Sequence, residues 1–401
     1  MMTDVRLTAT HLADGRELFY YDDSEPYVSG AATRRLDDPR PLPPQFADGA
    51  QGPQMRRDPL TGDWIPMATH RMNRTFLPPA DANPLAPARP GAAYSDGEIP
   101  DTDYDVVVFE NRFPSLARVD GTPGPGELEG EPLWEVRPAD GRCEVICFSP
   151  DSTRSLREVG PRRMRTIIEA WAQRTEALSQ IDGIQQVFAF ENRGEEIGVT
   201  LHHPHGQIYA YPYLTPKTTV MLERAREHRA ATGGNLLADV MNAEIRSGRR
   251  VIAQSEHWVA YVPAAGRWPV EIHVAPLDTS RAIPDLAALT DAEKDDLAGF
   301  YLEILARCDM FFPDDDGTPT RLPYIAGWHQ APVGDGREDL RLHLELFSIR
   351  RAPGKLKYLA GSESGMAAWI SDTTPEKVAD RLREVATGYV PAGLENPGDH
   401  R

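Results

Sequence analysis

The stretch Gly198-Val-Thr-Leu-His-His-Pro-His-Gly-Gln-Ile-Tyr-Ala210 places three histidines and a glutamine within six residues. Side chains of a β-strand alternate between its two faces, so a strand here puts His203, His205 and Gln207 on one face. The other face then carries Pro204, Gly206 and Ile208. The pattern predicts a strand with one chemically active face.

Histidine supplies the chemistry of that face. A neutral imidazole is nucleophilic, and its ordinary pKa of ~6.5 leaves it mostly neutral at the pH of the cytoplasm. Gly206 lacks a Cβ, which we expect to let a phosphate approach the backbone beside His205. Gln207 can donate to a phosphoryl oxygen but cannot deliver a proton, which suits a leaving group such as a sugar phosphate. Spacing alone leaves a second interpretation open, in which these are metal-binding or core histidines.

The motif from His203 to Gln207 resembles the active-site motif of the galactose-1-phosphate uridylyltransferase family, the transferase branch of the histidine-triad superfamily. The resemblance implies that His205 is the nucleophile and that Gln207 holds the phosphoryl group. It also implies that His203, or its carbonyl, orients the ring of His205. Thr200 stands where many relatives have serine and keeps a hydroxyl donor beside the phosphate.

The resemblance extends from about Arg56 to about Glu384 and implies a set of substrate-binding residues. Exposed arginines and turn asparagines are common without a ligand, so these residue types alone decide nothing. Trp369 replaces a sugar-contacting glutamine of the best-known subgroup, which leaves recognition of the hexose open. The implied contacts to nucleotide, phosphate and sugar are Arg71, Arg74, Asn111, Asn192, Lys357 and Glu363.

The order of predicted strands and helices repeats in the second half of the chain, which indicates an internal duplication. The resemblance implies an α+β fold, histidine-triad-like, with two similar lobes that each have an antiparallel sheet flanked by helices. We expect an N-terminal arm over residues 1–54, a catalytic lobe over 55–232 and a second lobe over 233–401. The resemblance also implies a homodimer that shares residues across its active sites.

Composition limits the partners. The 43 basic and 61 acidic residues give a net charge of −18, which repels the backbone of a nucleic acid. No apolar run approaches the ~18 residues of a membrane span, so we expect no membrane partner and a cytoplasmic location. Three cysteines are too few for a disulfide framework, and we expect Cys143 and Cys147 to be buried thiols.

The resemblance implies two possible metal sites, one in each half of the chain. In the second copy, His343-Leu-Glu345 takes the place of His203-Pro-His205, and a glutamate cannot attack phosphorus in the same way. With His329, these side chains could hold a divalent metal, zinc or iron, or they form a polar network at an interface. The family's cysteine-containing zinc site is predicted to be absent, because its other ligand positions hold Asn83, Ala86 and Ser152.

The predicted function is a nucleotidyl transfer that needs no cofactor for its chemistry. UMP would move between UDP-glucose and galactose 1-phosphate in a ping-pong reaction of the Leloir pathway, through a uridylyl-histidine on His205. The expected partners are UDP-glucose, UDP-galactose and hexose 1-phosphates. The alternatives are an adenine-nucleotide-sugar or dinucleotide phosphorylase of the same superfamily, and a non-catalytic nucleotide-binding relative.

Overall fold

A computed structural model describes residues 5–42, 52–69, 78–79, 82–118 and 124–385 of the chain. The strands are β1 (Arg6–His11), β2 (Glu17–Asp22), β3 (Gln54–Arg57), β4 (Trp64–Met67), β5 (Val106–Glu110), β6 (Gly126–Glu127), β7 (Glu135–Pro138), β8 (Arg142–Cys147), β9 (Gln186–Arg193), β10 (His205–Tyr211), β11 (Val251–Gln254), β12 (Trp258–Tyr261), β13 (Val270–Pro276), β14 (Tyr324–His329), β15 (His343–Ser348), β16 (Arg350–Ala352) and β17 (Lys355–Leu356). The helices are α1 (Pro161–Ser179), α2 (Pro216–Thr232), α3 (Leu236–Ser247), α4 (Asp291–Asp309), α5 (Gly361–Met366) and α6 (Pro375–Glu384).

Eleven strands form one antiparallel sheet in the order β1-β2-β5-β8-β10-β9-β14-β15-β13-β12-β11. In this sheet β1, β2, β5, β8, β10 and β9 make one half, and β14, β15, β13, β12 and β11 make the other, whereas β4-β3-β7-β6 form a separate four-stranded sheet. Pairing of β9 with β14 joins the two halves edge to edge, with Ile325 opposite Asn192. The predicted similar lobes therefore share a continuous sheet.

Helices α1 and α4 cover one face of this sheet and bury the main core. α1 begins with proline in its first turn, where the missing N–H costs no hydrogen bond. A capping box opens α4, because Thr290 and Glu293 each accept a hydrogen bond from the other's backbone N–H. Rings from both helices and from the second half of the sheet meet in the core with centroids 6.0–6.5 Å apart, namely Trp171, Trp258, Tyr301 and Trp328.

The N-terminal segment differs from a surface arm. β1 and β2 form a hairpin, and β2 lies inside the sheet because it also pairs with β5. Leu18 and Tyr20 of β2 are fully buried, so residues 6–22 belong to the first half-sheet. The division of the chain at 54 and 232 stays a prediction. Among the described helices, none combines the length and the apolar character needed to cross a bilayer.

Candidate active site

The motif strand β10 begins at His205 and runs between β8 and β9. His205 and Gln207 are half-buried, whereas Gly206 and Ile208 are buried, so the predicted alternation of faces holds from His205 onward. The buried side faces α1 and the core. The opposite side of β10 carries the candidate chemistry.

A single hydrogen bond sets the tautomer of His205. Its Nδ1 lies 2.7 Å from the carbonyl oxygen of His203. A carbonyl can only accept, so Nδ1–H donates and Nε2 keeps its lone pair. Burial lowers the pKa of His205 below its ordinary value, although the bond to His203 opposes that shift. The ring is therefore held neutral, with Nε2 as a nucleophile.

His205 borders two cavities. The first, of about 530 Å³, is also lined by His203 and Asn192. The second, of about 270 Å³, is lined by Asn111, Thr200 and Gln207. The structure thus brings six of the predicted site residues to one place around these two cavities.

The side-chain amides of two predicted site residues, Gln207 and Asn111, each make a hydrogen bond with a neighbouring residue. Tyr209 donates its hydroxyl to Oε1 of Gln207 at 3.0 Å, so the amide nitrogen of Gln207 is the group that can donate to a phosphoryl oxygen. Oδ1 of Asn111 accepts from the N–H of Phe113 at 2.9 Å and closes an Asx turn. The side chain of Asn111 therefore also fixes a turn that forms part of the wall of the second cavity.

The role predicted for Gly206 is wrong. Its α-carbon faces the core, where a Cβ would lie 2.8 Å from both Cζ of Phe148 and the carbonyl oxygen of Phe190. Contacts that short do not occur for real side chains. Glycine is required here because the core packs tightly behind the nucleophile, rather than because a phosphate approaches the backbone.

Comparison with known proteins agrees with this geometry. Family models for the N-terminal and C-terminal domains of galactose-1-phosphate uridyl transferase match residues 44–215 and 221–391. This chain belongs to the galactose-1-phosphate uridylyltransferase family. The predicted family, the α+β class and the enzyme class of a uridylyltransferase acting in galactose metabolism are thereby confirmed.

Individual relatives cover nearly the whole chain. A galactose-1-phosphate uridylyltransferase of Streptomyces lividans is 42% identical over 395 residues, which is 95% of this chain and 98% of that protein. A solved structure of a uridylyltransferase has a TM-score of 0.70 at 32% identity and covers 82% of this chain and 97% of its own. An ADP-glucose phosphorylase from Arabidopsis thaliana, solved with bound ADP-glucose, has a TM-score of 0.59 at 24% identity, with coverage of 84% and 100%. The last comparison shows a shared fold alone.

The zinc site of the uridylyltransferase family does not fit the residues present. Asn83 directs its amide nitrogen at Nδ1 of His203, at 2.8 Å, and an N–H group cannot ligate a cation. Ala86 has no ligand atom. Nε2 of His203 is bonded to the carbonyl of Ser149 at 2.7 Å. Both ring nitrogens of His203 are therefore engaged in hydrogen bonds.

The arginines that bear on anion binding form two pairs, one outside the described residues and one beside His205. Arg71 and Arg74 lie outside the described residues, so their predicted role as an anion-binding pair stays a prediction. Two arginines that the sequence reading missed, Arg154 and Arg321, border the first cavity. Arg321 lies between α4 and β14 in the second half of the chain, and no local pattern places it near His205.

Lys357 and Glu363 lie away from His205 within one chain. Neither borders the two cavities at His205. The Lys357 ammonium lies 3.8 Å from Glu363 and donates to the carbonyl oxygens of Arg267 and Ile370. Both side chains are almost completely buried in their own segment. A single chain therefore gives them no contact with a substrate held at His205.

The predicted second-lobe residues do come together. Nε2 of His329 lies 3.6 Å from Glu345, and Nε2 of His343 lies 3.5 Å from it. Their ligand atoms all lie within 4.8 Å of one another, which suits a small divalent ion in donor type and spacing. Nδ1 of His343 faces the carbonyl of Arg341, which leaves Nε2 for a ligand bond.

Neighbouring charges modify this second-lobe cluster. The Lys217 ammonium contacts Glu345, so a divalent ion would compete with it for the carboxylate. Burial lowers the pKa of His329 to about 3, which keeps that ring neutral and able to ligate. The sequence reading missed His273 and Glu271, which form a second group with Glu345 in the same wall. All five border a cavity of about 900 Å³.

Proposed function

We propose that this chain moves UMP between UDP-glucose and galactose 1-phosphate by a ping-pong reaction through His205. The observation that carries the proposal is the imidazole itself. Its Nδ1–H is held by the His203 carbonyl at 2.7 Å, and His205 borders both cavities at the motif strand. A neutral Nε2 open to a cavity of nucleotide size is the group that the first step needs.

In the first half-reaction, Nε2 of His205 attacks the α-phosphorus of UDP-glucose. The new N–P bond forms as the bond from phosphorus to the glucose 1-phosphate oxygen breaks. In the second, an oxygen of galactose 1-phosphate attacks the same phosphorus and the N–P bond breaks, which gives UDP-galactose. The oxygen that leaves in the first step and the oxygen that attacks in the second both belong to ionised phosphates. The second leaving group is the His205 imidazole, which departs as the neutral ring with its proton on Nδ1, so neither step needs a general acid.

Charge on the transferred phosphoryl group is stabilised by neutral donors. The amide nitrogen of Gln207 is oriented by Tyr209, and Thr200 and Asn192 border the same cavities. Fixed donors of this kind act on developing charge without reorganising during the reaction. The proposed chemistry therefore requires no cofactor.

Trapping the covalent intermediate tests this proposal. The protein is incubated with UDP-glucose labelled in the uracil, denatured and digested, and the labelled peptide is sequenced. We expect label on His205 and none in His205→Gly. The matched variant is His202→Gly, which removes the neighbouring histidine, an exposed residue 3.3 Å from Glu195. If the label is retained in His205→Gly but lost in His202→Gly, the assignment of His205 as the nucleophile is wrong.

The same assay separates the phosphorylase alternative. With ADP-glucose as the donor, a phosphorylase of the superfamily would adenylylate His205 and release glucose 1-phosphate. We expect labelling from UDP-glucose to exceed labelling from ADP-glucose. A preference for the adenine donor would replace the uridylyl transfer proposed here, and labelling from neither donor would favour a non-catalytic relative.

We also propose that His329, His343 and Glu345 hold one divalent ion, zinc or iron. The bound ion would tie β14 to β15 and would take no part in the transfer. Elemental analysis of purified protein is expected to find roughly one such ion per chain, and His343→Ala should lose it. His257→Ala, a histidine outside the cluster, is the control. Equal metal content in all three proteins would overturn the assignment.

A homodimer is the assembly that we propose. The sheet face that carries His205 also has a row of half-buried rings, namely Phe188, Phe190, Tyr209, Tyr211 and Tyr213. The segment after Lys357 is exposed and apolar, and includes Met366 at 80% and Ile370 at 58% exposure. Such surfaces suit a second copy of the chain. The cytoplasmic location stays a prediction.

A further inference from the structure

The ring of His203 lies in a closed set of hydrogen bonds whose directions can be assigned. Oδ1 of Asn83 accepts from the backbone N–H of Leu85 at 3.0 Å, which fixes the orientation of the amide. The Asn83 nitrogen therefore faces Nδ1 of His203, at 2.8 Å, and donates to it. Since Nδ1 accepts, the proton of the neutral ring is on Nε2.

The other side of the ring is held by Tyr104. Nε2–H of His203 faces the Ser149 carbonyl at 2.7 Å and the Tyr104 hydroxyl at 2.8 Å. The same hydroxyl lies 2.9 Å from the carbonyl oxygen of Leu85 and can donate to it. Every donor in the set meets an acceptor. His203 and Tyr104 are 2% and 3% exposed, so the set is shielded from water.

This set of bonds leads directly to the nucleophile. The backbone carbonyl of His203 accepts Nδ1–H of His205 at 2.7 Å. The next carbonyl, that of Pro204, accepts from the N–H of Phe148 at 3.1 Å. Fixing the His203 side chain and the Pro204 carbonyl leaves the intervening peptide little freedom. The direction of the His203 carbonyl sets both the tautomer and the orientation of the His205 ring.

We propose that Asn83 and Tyr104 are positioning residues for His205. Their hydrogen bonds hold His203 where the family's zinc site would hold it with a metal ion, and they fix the carbonyl that orients the nucleophile. The motif in this chain is therefore ordered by neutral donors and acceptors. This inference rests on the proposed uridylyl transfer to His205.

The test compares Tyr104→Phe and Asn83→Ala with the wild-type protein in single-turnover uridylylation by UDP-glucose. We expect the rate constant for labelling His205 to fall by about 10- to 100-fold, because a small misplacement of the ring is amplified in the transition state. The dissociation constant for UDP-glucose should change by less than about twofold, since neither side chain lines the two cavities at His205. Wild-type rates in both variants would overturn the proposal.

A matched variant separates positioning from general destabilisation. Tyr21 is equally buried, and its hydroxyl donates to Gln173 on the far side of the sheet. Tyr21→Phe should lose a comparable amount of stability and keep the wild-type rate of labelling. If Tyr21→Phe and Tyr104→Phe slow labelling equally, the role of Tyr104 is only structural.

Two further measurements do not depend on activity. Nitrogen NMR of histidine-labelled protein should show His205 as one Nδ1–H tautomer in the wild type and as a mixture in Tyr104→Phe. Metal analysis of the wild type and of His203→Ala should give the same zinc content. A zinc ion lost only in His203→Ala would show that a cation holds this ring and would refute the inference. If the wild type itself forms no uridylyl-His205, the proposed function is wrong. If the wild type is labelled and Tyr104→Phe and Asn83→Ala are labelled at the same rate, only the positioning role is refuted.

Discussion

At the scale of single residues, His205 is kept reactive by burial and by one hydrogen bond. Burial disfavours the charged imidazolium, and the His203 carbonyl takes the proton of the neutral ring on Nδ1. The two effects leave Nε2 unprotonated. The state of one imidazole therefore decides whether the site can form a bond to phosphorus.

The pH dependence of labelling follows from this state. Because burial places the pKa of His205 below its ordinary value, the ring stays neutral as the pH falls through that value. We expect the single-turnover rate to be flat from about pH 8 to 6.5 and to decrease only below that range. Rates measured across this range by quenched flow check the expectation. A decrease that begins above pH 7 would contradict it.

The tight packing around the α-carbon of Gly206 gives a second prediction. Ala at this position forces Phe148 or β9 to move, because the added Cβ would lie 2.8 Å from atoms of each. We expect Gly206→Ala to destabilise the fold by about 1–3 kcal/mol and to slow labelling of His205. Urea unfolding measures the first effect. Gly126→Ala is the control, since a Cβ there meets nothing within 4 Å, and equal stability of the two variants would contradict the packing argument.

At the scale of elements, the contact between β9 and β14 joins the two halves of the sheet. Glu191 of β9 accepts a hydrogen bond from the Tyr324 hydroxyl of β14 at 2.7 Å. Burial raises the pKa of Glu191 to about 7, although the bond from Tyr324 opposes the shift. Asn192, which follows it, borders the active-site cavity. The junction and the site are therefore adjacent.

The raised pKa of Glu191 predicts a stability that decreases with pH. Between its unfolded and folded pKa values the folded chain keeps a proton that the unfolded chain releases, so unfolding becomes easier as the pH rises towards about 7. We expect the free energy of unfolding of Glu191→Gln to exceed that of the wild type at pH 8 by a difference on the order of 3 kcal/mol, and to match it near pH 4.5. Melting curves across this range measure it. Glu195→Gln, on an exposed turn, should show no such difference, and a Glu191→Gln curve parallel to the wild type would refute the assignment.

At the scale of the whole molecule, the separation of Lys357 and Glu363 from His205 requires a second chain if their segment is to reach the sugar. Within one chain these residues bond to each other and to nearby carbonyls. An exposed apolar segment, which includes Met366 and Ile370, follows these two residues in the chain. The proposed homodimer would reconcile the predicted roles with the observed positions if this segment reached the partner's His205 site.

Complementation tests that arrangement. His205→Gly and Lys357→Ala are each expected to inactivate a homodimer. When the two chains are coexpressed and mixed dimers are isolated, one of the two sites regains both groups. We expect the isolated mixed dimers to recover about half of the wild-type activity, and the unfractionated mixture about a quarter. Coexpression of His205→Gly with the catalytic-site variant His205→Ala gives the background, and recovery no greater than that background would exclude sharing between chains.

The sequence by itself determined the motif strand, its family and the alternation of its faces. It also determined the start of α1, the capping box of α4 and the loss of the zinc ligands. All of these depend on residues close together in the chain, where periodicity, capping chemistry and side-chain type act locally. The burial of Cys143 and Cys147 follows from the same patterns, and both are buried free thiols.

Only the tertiary structure decided what lies around those residues. Gly206 faces the core, β2 lies inside the sheet, and Arg154 and Arg321 border the cavity of His205. Asn83, Tyr104 and Ser149 surround a ring that is more than fifty residues away in the chain. No local pattern encodes such neighbours, because they are set by the joining of two half-sheets and by packing against the helices.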